Sequence, residues 1–123
     1  MTVHGYEEQL ARQLYSQGRY QEAEAAFRLA LAKKPEDGRL HLELALCIDP
    51  DERPDEALSL FVRATDLDPS LADAYNGMGI CEPDLRMAEA AFRQALVLEP
   101  QTSEFHANLA VCLMRQGRAG DAE

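Results

Sequence analysis

The 123-residue chain has no tryptophan and only three cysteines, and its 12 lysines and arginines stand against 22 aspartates and glutamates. Each shortage excludes something. A formal net charge of −10 leaves no basic surface for nucleic-acid phosphate or for an anionic membrane. No uninterrupted apolar run is long enough for a transmembrane helix. Met1 to Gln9 carry Glu7 and Glu8 and lack the apolar stretch a secretory signal needs, so a cytoplasmic location is expected. Three widely spaced cysteines make neither a disulfide framework nor a zinc-ligand pattern. What is present is a globular balance, too apolar for a disordered acidic tail, and the length suits a single domain spanning residues 1–123.

The few prolines are periodic. Ala23 to Leu31 reads AEAAFRLAL and Ala88 to Leu96 reads AEAAFRQAL, so only Leu29 and Gln94 differ. A third copy lies between them at Ala57, Phe61 and Ala64, and each copy is closed by a proline, Pro35, Pro69 and Pro100. The intervals are 34 and 31 residues. A second motif keeps the same phase: Leu44-Ala45 before Cys47, Met78-Gly79 before Cys81, Leu109-Ala110 before Cys112. Such periods mark a stacked repeat.

Each unit reads as two helices. Leu10, Ala11 and Leu14 mark the first, and Gly18 stands where it should stop in a left-handed residue. Tyr20, Ala23, Phe27, Ala30 and Leu31 mark the second apolar stripe, with Pro35 beyond it. The small residues let paired helices approach and Phe27 fills the space between them. Neither helix can bury its stripe alone, so stacking on the next pair completes the core.

A helix-turn-helix unit of 34 residues with A-x3-F and a closing proline resembles the tetratricopeptide repeat. The second-helix pattern appears as Ala23-x3-Phe27, Ala57-x3-Phe61 and Ala88-x3-Phe92. The first-helix pattern is degenerate: Glu7-x2-Leu10-Ala11-x2-Leu14, His41-x2-Leu44-Ala45-x2-Ile48, Tyr75-x2-Met78-Gly79 and His106-x2-Leu109-Ala110-x2-Leu113. The resemblance implies an all-α fold, an α-α superhelix of three helix-turn-helix repeats plus the first helix of a fourth. The repeats are expected at about 4–37, 38–71, 72–102 and 103–123.

Two departures stand out. The third unit is three residues short between Gly79 and Ala88, with Glu82 and Pro83 where an apolar helical residue belongs. Pro83 reads as the first turn of the next helix, and the helix before it as about one turn shorter than its counterparts. In unit two, Asp49-Pro50-Asp51-Glu52-Arg53-Pro54 should end a helix near Ile48. The fourth unit stops at Glu123 as its second helix should begin, which reads as a fragment in preference to a dedicated cap.

No catalytic motif is present: no G-x-S-x-G, Walker loop, H-E-x-x-H or C-x-x-C. No enzyme activity, cofactor or metal is therefore expected. A calcium loop starting at Asp49 would want glycine and glutamate where Pro54 and Leu60 stand, which favours a solvated acidic turn. Cys47, Cys81 and Cys112 share one repeat position, suited to a small packing residue, with redox or metal use as the alternative. His41 and His106 share the slot of Tyr75, a packing or rim position, and His4 carries no signal.

The resemblance implies a groove lined by the first helices of successive units, which takes a peptide or partner helix. Carried over by position, it offers Glu8, Arg12, Tyr15 and Ser16; Arg39, Leu42, Leu46 and Asp49; Asp73, Asn76 and Ile80; and Glu104, Ala107, Asn108, Val111, Met114 and Arg115. The carboxylate clamp of chaperone-binding relatives wants lysine and asparagine where Glu8 and Arg12 stand, and it meets Glu43, Asp73 and Gly77 further on. Binding of an acidic C-terminal peptide is not expected. The aliphatic strip of Leu42, Leu46, Ile80, Val111 and Met114, in an acidic chain, suits a protein with hydrophobic anchors and a basic flank. The competing reading is that these side chains pack against neighbouring helices. The leading function is a protein–protein interaction scaffold. The alternatives are a self-associating module and a targeting or regulatory module of a larger protein.

Overall fold

The computed structural model describes residues 5–117, so the readings made for His4 and for residues 118–123 lie outside the described residues. Seven helices follow one another: α1 (Tyr6–Ser16), α2 (Tyr20–Lys33), α3 (Gly38–Leu46), α4 (Pro54–Leu67), α5 (Ala72–Cys81), α6 (Leu85–Leu98) and α7 (Ser103–Arg115). Each helix packs on the next, and α3 also touches α5. The result is an all-α solenoid of paired helices.

The short side chains identified in the repeat set the helix spacing. Ala11, Ala23, Ala57, Ala64 and Ala95 are fully buried, and Phe27, Phe61 and Phe92 fill the space between the helices of their pairs. The core is a chain of clusters. Phe27 lies in the first with Leu40 and Leu44, Phe61 in the second with Leu42 and Ile48, and Phe92 in the third with Leu109 and Leu113. Tyr20 is not part of the buried stripe; it is exposed at the start of α2 and meets Tyr15 edge to face, ring centres 5.2 Å apart.

Helix ends follow the local chemistry. Gly18 takes φ +77°, and the Arg19 amide donates to the Leu14 carbonyl behind it, so the first turn is built on a left-handed glycine. Gly117 repeats this with φ +75° after α7. Pro54 opens α4 from inside its first turn. Pro83 does not do the same for α6. Asp84 is the cap, its side chain accepting from the Arg86 and Met87 amides, and the helix begins at Leu85. A carboxylate that satisfies two free amides fixes the start better than a proline that satisfies none. Nor is α5 the shortest first helix: it has 10 residues and α3 has 9, because α3 stops at Leu46 and continues as a tight turn through Cys47 and Ile48.

The histidine slot has a structural use. His41 Nε2 lies 3.0 Å from the Pro35 carbonyl and His106 Nε2 2.8 Å from the Pro100 carbonyl. A carbonyl only accepts, so each ring donates from Nε2. Both ties fasten a first helix to the proline turn before it. Cys47, Cys81 and Cys112 are all buried and free, with the Cys47 and Cys112 thiols donating to the Glu43 and Leu85 carbonyls. Burial pushes the Cys47 and Cys81 thiols up to about 11, which keeps them as protonated packing groups.

Glu24 joins the first two helix pairs. It accepts from Arg28 in its own helix and from Arg53 in the turn before α4, while Arg28 also reaches Glu56. The Arg53 guanidinium above all holds the Glu24 carboxyl at about 2 instead of 4.5. The folded state thus favours the charged form. Its contribution is complete above pH 4.5 and fades as the pH falls toward 2. The arginines are nearly half exposed, which screens the network to about 1 kcal/mol. Glu24→Gln is therefore expected to cost about that much in urea unfolding at pH 7, and nothing well below pH 2, where both chains carry a neutral side chain.

Candidate functional site

Helices α1, α3, α5 and α7 present one residue each from the same repeat position: Arg12, Leu46, Ile80 and Val111. All four are exposed. Three hollows run along this row. The first, of about 100 Å³, lies between α1 and α3 over Phe27 and is lined by Arg12, Tyr15, Glu43 and Leu46. The second, of about 340 Å³, lies between α3 and α5 over Phe61, with Leu46, Asn76 and Ile80 in its walls and Asp73 and Glu104 at its rim. The third, of about 320 Å³, lies between α5 and α7 over Phe92, with Ile80, Asn108 and Val111 in its walls. Leu46 is common to the first two and Ile80 to the last two, so the hollows form one groove.

The expected site residues divide. Tyr15, Leu46, Asn76, Ile80, Asn108 and Val111 line the hollows. Met114 is exposed on the same helix as Val111, one turn on, and Arg39 is exposed on α3, but neither lines a hollow. Leu42 does not belong to the surface. It is 2% exposed and sits in the cluster of Ala45, Ile48, Phe61 and Leu71. Its helix is covered by α4 on one side and α5 on another, so a position on the groove side falls into the core there.

The polar groups of the groove are tied unevenly. Arg12 is gripped by Glu43 in two parallel bonds, Nε to Oε2 at 2.6 Å and Nη2 to Oε1 at 2.7 Å. Those bonds raise the guanidinium above its ordinary pKa. Glu8 lies 3.6 Å from Arg12 and 2.7 Å from Lys34 Nζ. The charges of the first hollow thus cancel within the chain. Further on, Asn108 donates to Asn76 Oδ1 at 2.9 Å, and Asn76 Nδ2 reaches Glu104 at 3.4 Å, although Asn76 is 5% exposed. An amide link therefore joins α5 to α7. Asp73, Glu104, Asp51 and Glu82 form no ion pair with a cation among the described residues.

Sequence reasoning missed Leu85, Asp51 and Pro50 as lining residues. Asp51 and Pro50 reach the groove from the turn after α3, and Leu85 reaches it from the first turn of α6. Among the described residues no three histidine, cysteine or acidic side chains are grouped to hold a metal, and no helix is long and apolar enough to cross a membrane.

Fold and groove together describe a stacked-helix repeat protein. The tetratricopeptide repeat model matches residues 9–72 and 84–123, and the chain belongs to that family. The stretch between the two matches, 73–83, holds all of α5 but its first residue and the start of the turn after it. No curated protein matches the chain. Solved structures share the fold. The first tetratricopeptide domain of Spaghetti (RPAP3), bound to the HSP90 peptide SRMEEVD, superposes with a TM-score of 0.85 at 21% identity, covering 90% of each chain. The second such domain of human RPAP3, in complex with the HSP70 peptide SGPTIEEVD, gives 0.78 at 21% identity, covering 86% of this chain and 91% of that one. MamA gives 0.83 at 15% identity, covering 93% of this chain and 68% of that one.

Proposed function

We propose that this chain is a non-catalytic scaffold that holds a segment of another protein, a peptide or a helix, in the groove of α1, α3, α5 and α7. The observation that carries this reading is the placement of exposed apolar side chains. Tyr15, Leu46, Ile80 and Val111 line the hollows and Met114 follows Val111 one turn on, whereas the remaining large exposed apolar residues lie off this row, Tyr6 at the start of α1, Tyr20 and Leu29 on α2, and Met87 and Val97 on α6. A continuous apolar row between polar rims marks an interaction surface. The partner offers hydrophobic anchors to this row and a basic flank to the carboxylates beside it, Asp73 and Glu104 above all. Solved neighbours holding peptides support the use of such a groove, but their peptides are acidic. Glu8, Glu43 and Asp73 stand where an acidic C-terminus would need cations or amides.

Leu46→Asp tests the reading. Leu46 is half exposed and separates two hollows, so the change should leave far-UV helicity unchanged and lower stability only by about 0.3–1 kcal/mol, the cost of a negative charge at the C-terminal end of α3. Affinity for peptides selected on the native chain should fall at least about tenfold by fluorescence anisotropy. A folded variant that binds as well as the native chain would place the partner surface elsewhere.

A further inference from the structure

Each end of the groove carries its own cation. Arg12 lines the first hollow and is gripped by Glu43, and Lys34 meets Glu8 beside it. Arg115 lines the third hollow together with Asp51 and Glu82. The second hollow differs. None of its lining residues is a lysine or arginine, and its two carboxylates, Asp73 and Glu104, form no ion pair among the described residues. Both stand at one repeat position, two residues before Tyr75 and His106. The second unit has Arg39 there, but Arg39 does not line the hollow and acts on Asp68.

Glu104 belongs to α7 and yet borders the hollow between α3 and α5. The buried Asn76 amide donates to its Oε1 at 3.4 Å, and Asn76 accepts in turn from Asn108 at 2.9 Å. Carboxylates of two helices thus border one hollow of about 340 Å³ whose interior, with Ile48 and Phe61 below and Leu46 and Ile80 in the walls, is mainly apolar. Both acidic residues also sit in the first turns of their helices, which favours a negative charge. That benefit needs neither the hollow nor the Asn76 bond.

We propose that the second hollow seats one arginine side chain of the partner segment, its methylene stem over Phe61 between Leu46 and Ile80 and its guanidinium at Asp73 and Glu104. The inference rests on the groove reading above and names the residue the groove selects at its centre. A purely apolar side chain would cover the floor and leave both carboxylates without a counter-charge. A long cationic side chain does both, since its stem covers apolar surface while its head stays at the rim. Arginine suits the place better than lysine. Its planar guanidinium is weakly hydrated and carries five donors, enough for carboxylates on two helices at once, whereas an ammonium is a compact, strongly hydrated point charge.

The test pans a displayed library of random twelve-residue peptides on the native chain and measures the enriched peptides by fluorescence anisotropy. An arginine should recur in the enriched set. Replacing that arginine by methionine, which keeps an unbranched apolar stem without the charge, should weaken binding about tenfold, and replacing it by lysine about threefold. The doubly neutralised chain, Asp73→Asn with Glu104→Gln, should weaken the arginine peptide about tenfold and leave the methionine peptide unchanged, because both changes remove the same interaction. The two substitutions keep side-chain size at exposed positions, so far-UV helicity should not change. Equal losses for the arginine and methionine peptides, or an enriched set without arginine, would overturn the seat. If Leu46→Asp still weakens those peptides, the groove reading survives without it. A library that yields no binder, or peptides that bind Leu46→Asp and the neutralised chain as tightly as the native one, would sink both.

Discussion

Gly77→Ala should destabilise the fold by about 2–3 kcal/mol, although alanine is the better helix former by about 1 kcal/mol. Gly77 lies inside α5, where the Phe61 ring of α4 rests directly on its backbone. A methyl group there would stand 2.3 Å from Phe61 Cε1, 2.4 Å from Cζ and 2.5 Å from Cδ1. These are not contacts that a small rotation relieves, because Phe61 is packed with Leu42, Ala45, Ile48 and Ala57. Phe61→Leu alone gives up apolar burial on the order of 1 kcal/mol. It also vacates the space the methyl needs. The double variant Gly77→Ala with Phe61→Leu should therefore unfold at a higher urea concentration than the two separate losses would sum to. Gly79 and Phe92 repeat the arrangement, with a closest approach of 2.5 Å. Wild-type stability in the single Gly77 variant would mean that α4 and α5 are packed less closely than described.

Those glycine contacts show what a repeat sequence makes legible. Residues that recur in phase at Ala23, Phe27 and Pro35 fix helix after helix, because one pair cannot bury its stripe without the next. The left-handed Gly18 was equally readable, since the apolar spacing stops just before it. Depth was not readable. Leu42 and Ala107 share a position, and spacing alone treats them alike. Leu42 is buried because α4 and α5 both close over α3, whereas Ala107 remains exposed. Pairing was not readable either. Arg12 was placed in the groove by its repeat position, but its carboxylate partner, Glu43, lies 31 residues away and only the stacking brings it within 2.6 Å. Pro83 misled for a local reason: proline favours a helix start, but the adjacent Asp84 satisfies two amides and takes the cap.

The largest loss of binding is expected from Ile80, and the choice of substitute decides what is learned. Ile80 is 53% exposed and walls both the second and the third hollow, so one truncation strips two contact sites. Central apolar residues of that kind commonly account for about 2 kcal/mol or more, roughly 30-fold in affinity. Aspartate is a poor probe there. Ile80 is the penultimate residue of α5, where a negative charge opposes the helix dipole by about 0.3–1 kcal/mol. It would also add to the carboxylates of Asp73 and Glu104, attracting a basic partner while removing its apolar seat. Asparagine keeps a polar side chain of the same size without either charge effect. Ile80→Asn should therefore raise the dissociation rate of the selected peptides roughly 30-fold and leave the association rate nearly unchanged, since encounter is governed by the surrounding carboxylates. Ile80→Asp should show the same fast dissociation with a slightly faster association that declines in salt. Loss confined to the association rate in Ile80→Asn would mean that the partner is held by charge and not seated in the apolar row. In that case Asp73 and Glu104, with their rim positions, would be the residues that matter.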